Sequence, residues 1–291
     1  MPAHLDALLR AGSWQDPDGD TERTETSLPG GDVTVGVVRV GSTVRRPRQE
    51  TSRAVAAYLE HLRAAGFDGA PRFLGTDRAG RDVLEYVPGR VAGQPPEAWV
   101  ADERLLPALG ALVRRLHEAS EGFAPPPGAR FYRDLLPLPP HLEVLVDRPT
   151  IVGHNDVTPQ NVVVRDGVPV ALVDFDMAGP TTPLRDVANT CLHWAPVQDP
   201  VDRTRALADA DPFRRCRVIA DGYGLSRDGR RQMVDVLPRG TRVGWHRMLL
   251  AAQTFGGGWA RMWDDGVGDV IKRREAWLLA EGPRLAAALL D

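Results

Sequence analysis

The stretch GHNDVTPQNVVVRDGVPVALVDFD, Gly153 to Asp176, decides how the rest of the chain is read. His154, Asp156 and Asn161 form H-x-D-x-x-x-x-N, a spacing that phosphoryl-transfer chemistry uses. The runs Val162 to Val164 and Val168 to Val173 flank Asp166-Gly167, the pair of residues that a type I′ hairpin favours. Such a fold-back returns Asp174 to the neighbourhood of Asn161, so that one ribbon offers two oxygen ligands for a divalent cation, with Asp156 alongside. Magnesium suits this arrangement, because it takes one or two carboxylates plus substrate phosphates rather than an all-protein cage. Asparagine is scarce, and two of the three in the chain, Asn155 and Asn161, fall in this loop.

Composition narrows the alternatives. A chain of 291 residues fits one large or two modest domains with real apolar cores. Its formal net charge of -3 provides no basic field for nucleic acid. Cys191 and Cys216 make no spaced metal or disulfide framework, which fits a reducing compartment. The opening MPAHLDALLRAG lacks the basic and apolar regions of a signal peptide, and no segment reaches the roughly 18 apolar residues that a bilayer crossing needs. A cytoplasmic protein with no membrane partner is the expectation, and the oligomeric state is left open. Of 36 basic residues only Lys272 is lysine. A phosphate clamp in the amino-terminal region must therefore be arginine, permanently charged and capable of bidentate contact.

Outward from the central stretch, the chain divides into a β-rich portion and a helix-rich one. Met1 to Gly12 reads as a short helix. LPGGDVTVGVVRVGSTVRRP then places Gly30-Gly31 before a strand around Val33 to Val40, a Gly41-Ser42 turn, and a strand Thr43 to Arg46 stopped by Pro47. Paired glycines permit close backbone approach to a phosphate, and a turn between strands needs glycine in any case. Thr51 to Ala65 has helical periodicity, with Val55, Tyr58, Leu59 and Leu62 on one face. Strands near Arg72 to Gly75 and Asp82 to Val87 follow, and Glu85 to Gly89 leave the sheet as a strand end whose backbone can meet a flat heterocycle. From Pro96 the period changes, and Trp99, Leu105, Leu109, Leu112, Val113 and Leu116 mark a long amphipathic helix running towards His117. Phe123 to Pro140 is proline-rich and reads as loop. Beyond Asp176 lie a helix containing Asp186, Ala188 and Leu192, then four helical patterns. Breaks near Pro196 to Asp202, Gly222 to Arg227, Pro238 to Gly240 and Asp264 to Gly268 separate them. The fold class is α+β.

With these elements in order, the chain resembles the aminoglycoside phosphotransferase family, small-molecule kinases related in fold to eukaryotic protein kinases. GHNDVTPQNVVV is similar to the family's H-G-D-x-x-x-x-N loop, and VDFDMAG to its I-D-[FW]-[DE] segment. The resemblance implies a bilobal protein-kinase-like fold, with a small β-rich N-lobe over residues 1–89 and a larger, mainly helical C-lobe over residues 90–291. ATP, or GTP, would lie between the lobes with Mg2+. The implied reaction moves the γ-phosphate to a hydroxyl of a small molecule, such as an aminoglycoside-like or amino-alcohol acceptor. On the matching positions, Asp156 resembles the catalytic aspartate, Asn161 and Asp174 the magnesium ligands, and His154 and Asp176 supporting residues. Arg45 aligns with the phosphate-contacting lysine of the third strand, with Arg46 one register step away. Gly30 and Gly31 fall where the backbone nears phosphate, and Glu85 and Val87 resemble the adenine-binding hinge.

Three departures accompany the resemblance. Arginine stands for lysine on the strand, Ser52 falls near the helix glutamate's position with Glu50 as its nearest substitute, and Asn155 replaces the usual glycine after the histidine. These favour, as an alternative, a catalytically weak nucleotide-binding regulator. A protein kinase is disfavoured, because no G-x-G-x-x-G loop and no A-P-E segment occur. Trp245, Trp259, Trp263 and Trp277 with Asp264, Asp265 and Asp269 would suit a cationic acceptor. Tryptophans at helical spacing equally build a core.

Overall fold

The computed structural model describes residues 2–15, 24–28, 34–143 and 147–291. After α1 (Pro2–Leu8), strands β1 (Thr26–Ser27), β2 (Val38–Val40), β3 (Thr43–Arg46), β4 (Phe73–Thr76) and β5 (Asp82–Glu85) form an antiparallel sheet in the order β1-β2-β3-β5-β4. Between β3 and β4, α2 (Ser52–Ala64) buries the expected face of Val55, Tyr58, Leu59 and Leu62. The Gly30-Gly31 turn lies outside the described residues. The strand expected from Val33 is seen from Val38, and β1 is an edge strand too short to leave a pattern in sequence.

Helices dominate the remainder: α3 (Leu105–Ala119), α4 (Tyr132–Leu135), α5 (Pro140–Glu143), α6 (Pro183–Trp194), α7 (Pro212–Tyr223), α8 (Arg227–Phe255), α9 (Gly257–Asp264), α10 (Val267–Ala280) and α11 (Gly282–Leu290). Two ribbons sit among them, β6 (Ile151–Gly153) with β9 (Gly179–Thr181), and β7 (Val162–Arg165) with β8 (Val168–Leu172). Trp99 occupies its own 3-10 turn rather than α3, and α4 interrupts the proline-rich loop. The break expected at Pro238 to Gly240 does not exist. Pro238 is buried beside Leu237 inside a continuous α8, where packing offsets the hydrogen bond that proline removes. The helix ends instead at the glycine run, where Gly256 and Gly257 take φ of +62° and +54°, a region costly to other residues.

Caps explain several helix starts. Asp211 accepts from the N–H groups of Phe213 and Arg214 at 2.9 and 3.1 Å at the start of α7, and Ser226 accepts from Gly229 N at 3.1 Å at the start of α8. α3 and α7 cross with their backbones almost touching. A Cβ on Gly110 would lie 2.5 Å from Ile219 O, and one on Gly222 would lie 2.3 Å from Pro107 O. Glycine is required there for proximity rather than for its conformational freedom.

A buried carboxylate ties this helical body to the loop after β6. Asp186, on α6 and fully inaccessible, accepts from His154 N at 2.9 Å and Asn155 N at 2.8 Å, and pairs with His117 Nε2 at 3.0 Å. His117, on α3, contacts Tyr223 OH of α7 through Nδ1 at 2.9 Å. Burial by itself would raise the Asp186 carboxyl, but the hydrogen bond and charge of His117, with His154 and the Asn155 N–H, hold it below the usual carboxylate range. The same loop is held by Trp194, whose Nε1 donates to Val157 O at 2.9 Å.

Three substitutions, each read by denaturant unfolding, test this packing. Gly110→Ala should destabilise by ~1–3 kcal/mol through overpacking, whereas Gly244→Ala, in α8 with nothing within 4 Å of the added carbon, should stabilise by about 0.5–1 kcal/mol. Asp186→Ala should cost ~3–5 kcal/mol, because it strands two loop N–H groups and a histidine in the interior.

Candidate active site

The hairpin β7–β8 turns through Asp166 and Gly167, whose φ values of +51° and +75° are both positive, as a type I′ turn requires. Val162 pairs with Leu172, and Val173 N donates to Asn161 O at 2.9 Å, so the ribbon brings Asp174 back beside the loop. Asn161 Nδ2 donates to Asp156 O at 2.9 Å and to Asp156 Oδ2 at 2.8 Å. Asp156, Asn161 and Asp174 line one wall of a cavity of about 660 Å³.

A second cavity, of about 270 Å³, shares Asn161 and Asp174 with the first and runs under the sheet to Glu85, Tyr86 and Val87. Val44, Leu84, Val163 and Val173 supply apolar surface there, and Arg46 and Asp176 stand with Asp174 among its lining. The strand end Glu85 to Val87 and the loop around Asp156 thus border connected space. Gly30 and Gly31 lie outside the described residues. Thr34, beyond them, donates its hydroxyl to Asp176 Oδ2 at 3.1 Å, a contact with no signature in sequence.

The strand arginines exchange places relative to the alignment. Alternation along β3 sends Arg45 and Arg46 to opposite faces of the sheet. Arg45 Nη1 lies 3.8 Å from Asp77 Oδ2, and its Nε donates to Thr43 Oγ1 at 3.1 Å, away from the cavity. Arg46 faces the cavity instead: Nη2 contacts Asp176 Oδ1 and Nη1 stands 3.8 Å from Asp174 Oδ1. Burial would lower the Arg46 pKa, but Asp176, Asp174 and Asp82 together raise it. Glu50 does not replace the absent helix glutamate, for its side chain is exposed and pairs with Arg130 at 3.5 Å. Ser52 does occupy that neighbourhood, and its hydroxyl donates to Asp82 Oδ2 on β5. Asp82 is the register partner of Arg46, so the neighbouring strand supplies the carboxylate.

Asn155 has a local explanation. Its φ is +61°, a left-handed conformation that asparagine tolerates better than most residues. The side chain also works: Nδ2 donates to Gly179 O at 3.0 Å, and Oδ1 accepts from Arg133 Nη2 at 2.6 Å. His154 is wholly buried, packs on Phe175 with ring centroids 4.6 Å apart, and donates from Nε2 to Val173 O at 2.9 Å. Burial lowers its pKa, so it is a neutral strut between the loop and the ribbon.

Electrostatics gives the site its character. Asp174 and Asp176 converge on the guanidinium of Arg46, and Asp156 stands close enough to Asp174 to feel its charge. Burial and the nearby Asp174 push the Asp156 carboxyl up to about 7, against the hydrogen bond from Asn161. Enclosure and repulsion from Asp176 push Asp174 up to about 6, with Arg46 pulling the other way, although its oxygens stay open to the cleft. This excess negative charge and the hard oxygen donors of Asn161 and Asp174 fit a divalent cation completed by phosphate oxygens.

Of the aromatic and acidic groups near the carboxyl terminus, only Trp259 reaches the larger cavity. Trp277 stacks on Phe213 at 5.7 Å, Trp245 packs on Trp263 at 5.4 Å, and Asp264, Asp265 and Asp269 are exposed outside both cavities. They do not form a cationic-acceptor site. Asp186 carried a usable signal, a carboxylate spaced four and eight residues before Thr190 and Trp194 on a buried helix stripe.

Residues 128–219 match the family described as APH, phosphotransferase enzyme family. The chain is 35% identical over 217 residues to the trifolitoxin immunity protein of Rhizobium leguminosarum bv. trifolii, covering 73% of this chain and 79% of that protein. A choline/ethanolamine kinase family protein from Mesorhizobium loti superposes with a TM-score of 0.60 at 19% identity, over 99% of this chain and 97% of that one. The GDP complex of aminoglycoside 2'-phosphotransferase-IIIa superposes with a TM-score of 0.57 at 14% identity, over 89% and 95% of the respective chains. The fold is thus kinase-like, a small β-rich part joined to a larger helical one, and the chain belongs to the APH phosphotransferase family.

Proposed function

We propose that the protein is a magnesium-dependent kinase that transfers the γ-phosphate of ATP, or of GTP, to a hydroxyl of a small molecule. The observation that carries this reading is the convergence of Asp156, Asn161 and Asp174 on one wall of the larger cavity, with Asn161 and Asp174 also lining the smaller one. In this proposal residues 1–89 and 90–291 form the two lobes, and the smaller cavity takes the nucleotide with its base against the Glu85 to Val87 backbone. The larger cavity takes the acceptor. Arg46 contacts phosphate oxygens, with Asp176 and the Ser52–Asp82 pair holding its guanidinium. Asp156 aligns the acceptor hydroxyl and receives its proton as the new O–P bond forms and the bond from the γ-phosphorus to the bridging oxygen breaks. A magnesium ion held by Asn161 and Asp174 would supply neutralisation of phosphate charge.

A second reading concerns the acceptor's biology. The relative named as an immunity protein supports a role in protecting the cell from a toxic molecule by phosphorylating it. Expression in cells sensitive to such a molecule, with Asp156→Ala as control, tests it: protection that survives the substitution would contradict a phosphorylation mechanism.

Asp156→Ala should lower acceptor-dependent turnover by about 10²-fold or more while Mg-ATP affinity changes little. Asp174→Ala and Arg46→Ala should weaken Mg-ATP binding itself, and Arg45→Ala should not. Calorimetric titration with Mg-ATP checks this division, and equal losses in Asp156→Ala and Asp174→Ala would overturn it.

The raised Asp156 carboxyl also sets a stability profile. Folded protein binds this proton more tightly than unfolded chain, whose carboxyl titrates near the ordinary 3.8 rather than about 7. The resulting penalty is absent below pH 4, grows between pH 4 and 7, and is complete above 7. With a chelator present, Asp156→Asn should therefore stabilise the protein by roughly 1–2 kcal/mol at pH 8, cleft water screening part of the effect, and by almost nothing at pH 3.5. Urea unfolding of both proteins across this range measures the difference.

A further inference from the structure

The larger cavity has a charge pattern that the transfer chemistry does not use. Asp156 and Asp174 stand at the transfer end, and no other carboxylate is among its lining residues. The remaining wall includes Leu192, His193, Gln198, Trp259, Met262 and Arg274, and Arg274 is its one cation among the described residues.

Arg274 is held in an unusual way. Its Nε donates to the Gln198 amide oxygen at 3.0 Å, and Nη2 contacts the same atom. That partner is neutral. The adjacent Arg273 takes the nearby carboxylate, bonding Asp202 at 2.8 and 2.6 Å. Gln198 Nε2 donates to Asp202 O at 2.7 Å, which fixes the amide so that its oxygen faces Arg274. Burial pushes Arg274 down to about 10, with Asp202 pulling the other way, so it remains a cation at neutral pH. Among the described residues its hydrogen-bond partner is an amide, while the Asp202 carboxylate that offsets its charge is bonded to Arg273, so an arriving anion would meet guanidinium donors with no carboxylate of their own.

His193 points the same way. Burial, followed by the repulsion of Arg274, pushes its pKa down to about 3, so the ring is neutral. Among the described residues it has no hydrogen-bond partner, leaving one donor and one acceptor for a ligand. On the wall around Arg274 no carboxylate is among the lining residues: Trp259 is stacked on Tyr132 at 5.6 Å, and the acidic residues near it are outside the cavity.

We infer that the acceptor is a hydroxylated molecule bearing a carboxylate or comparable anionic group, seated on Arg274 with His193 beside it while its hydroxyl is presented to Asp156. This rests on the kinase reading above and specifies its substrate class. Arg274 repels an ammonium group placed against this wall.

Gluconate, sorbitol and glucamine share one hydroxylated chain and differ at a single end, as carboxylate, hydroxymethyl and ammonium. Their affinities for the full-length protein, measured calorimetrically with a non-hydrolysable ATP analogue and magnesium present, test the inference. Gluconate should bind at least about tenfold more tightly than glucamine, with sorbitol between. Arg274→Gln should erase the ratio, and Arg274→Lys, which keeps the charge, should preserve its direction. Should Arg274→Gln fail to fold, the wild-type ratio and the lysine variant decide. Equal or tighter binding of glucamine, no binding of gluconate, or an unchanged ratio in Arg274→Gln would overturn the inference. Titration of wild-type protein with the analogue alone reports separately on the kinase reading, since a missing nucleotide site would leave the anion preference measurable.

Discussion

Everything in the site hangs from one carboxylate that touches no substrate. Asp186 accepts the successive N–H groups of His154 and Asn155, and so fixes the path of the chain immediately before Asp156. A carboxylate with no exposure is costly unless its oxygens are satisfied, and here His117 and the two amides satisfy them. The Gly153 backbone must pass close by, since a Cβ there would lie 2.5 Å from Asp186 Oδ2. The left-handed turn at Asn155 follows, and with it the direction in which Asp156 leaves the loop. His154 then carries the constraint forward to Val173, one residue before Asp174. Asp156 and Asp174 are therefore positioned by a continuous chain of hydrogen bonds rooted in α6 and α3.

The strand arginine shows how a departure from a family pattern is absorbed. Without a glutamate at the start of α2, the positive group on β3 would lack a partner on that side. The register of β3 with β5 places Asp82 opposite Arg46, and Ser52 bonds Asp82 from the helix. Burial raises the Asp82 carboxyl, while Ser52, Arg46 and Arg48 oppose the rise. Helix and strand are thus coupled through a hydroxyl rather than a salt bridge. Lysine and arginine differ in reach and in the plane of their donors. A relocated carboxylate is the natural counterpart of a broader, forked cation.

Legibility followed the length scale of the interactions. The hairpin, the H-x-D-x-x-x-x-N loop and the α2 and α3 stripes are local patterns, and the structure contains each of them. The choice between Arg45 and Arg46 was not legible by alignment alone, since neighbouring residues on a strand face opposite ways and a one-residue slip exchanges them. Pro238 misled because a proline marks a helix end only where no packing holds the helix together, and α8 buries it. The tryptophans misled for the opposite reason: composition drew them into one group, whereas helix rotation sends Trp277 to Phe213 and Trp245 to Trp263.

The wall of the larger cavity around Arg274 is the least legible part because adjacent residues have different fates. Arg273 and Arg274 are chemically identical in sequence, but a step along α10 turns one outward to Asp202 and the other inward to Gln198. Rotating α10 by a single residue would exchange these environments and leave the cavity with a compensated charge or none. The charge at this end of the larger cavity is therefore a property of helix register and of the loop at Gln198, not of any motif. Arg274 meets a neutral amide where Arg273 meets a carboxylate, and the anion preference inferred for the cavity rests on that difference.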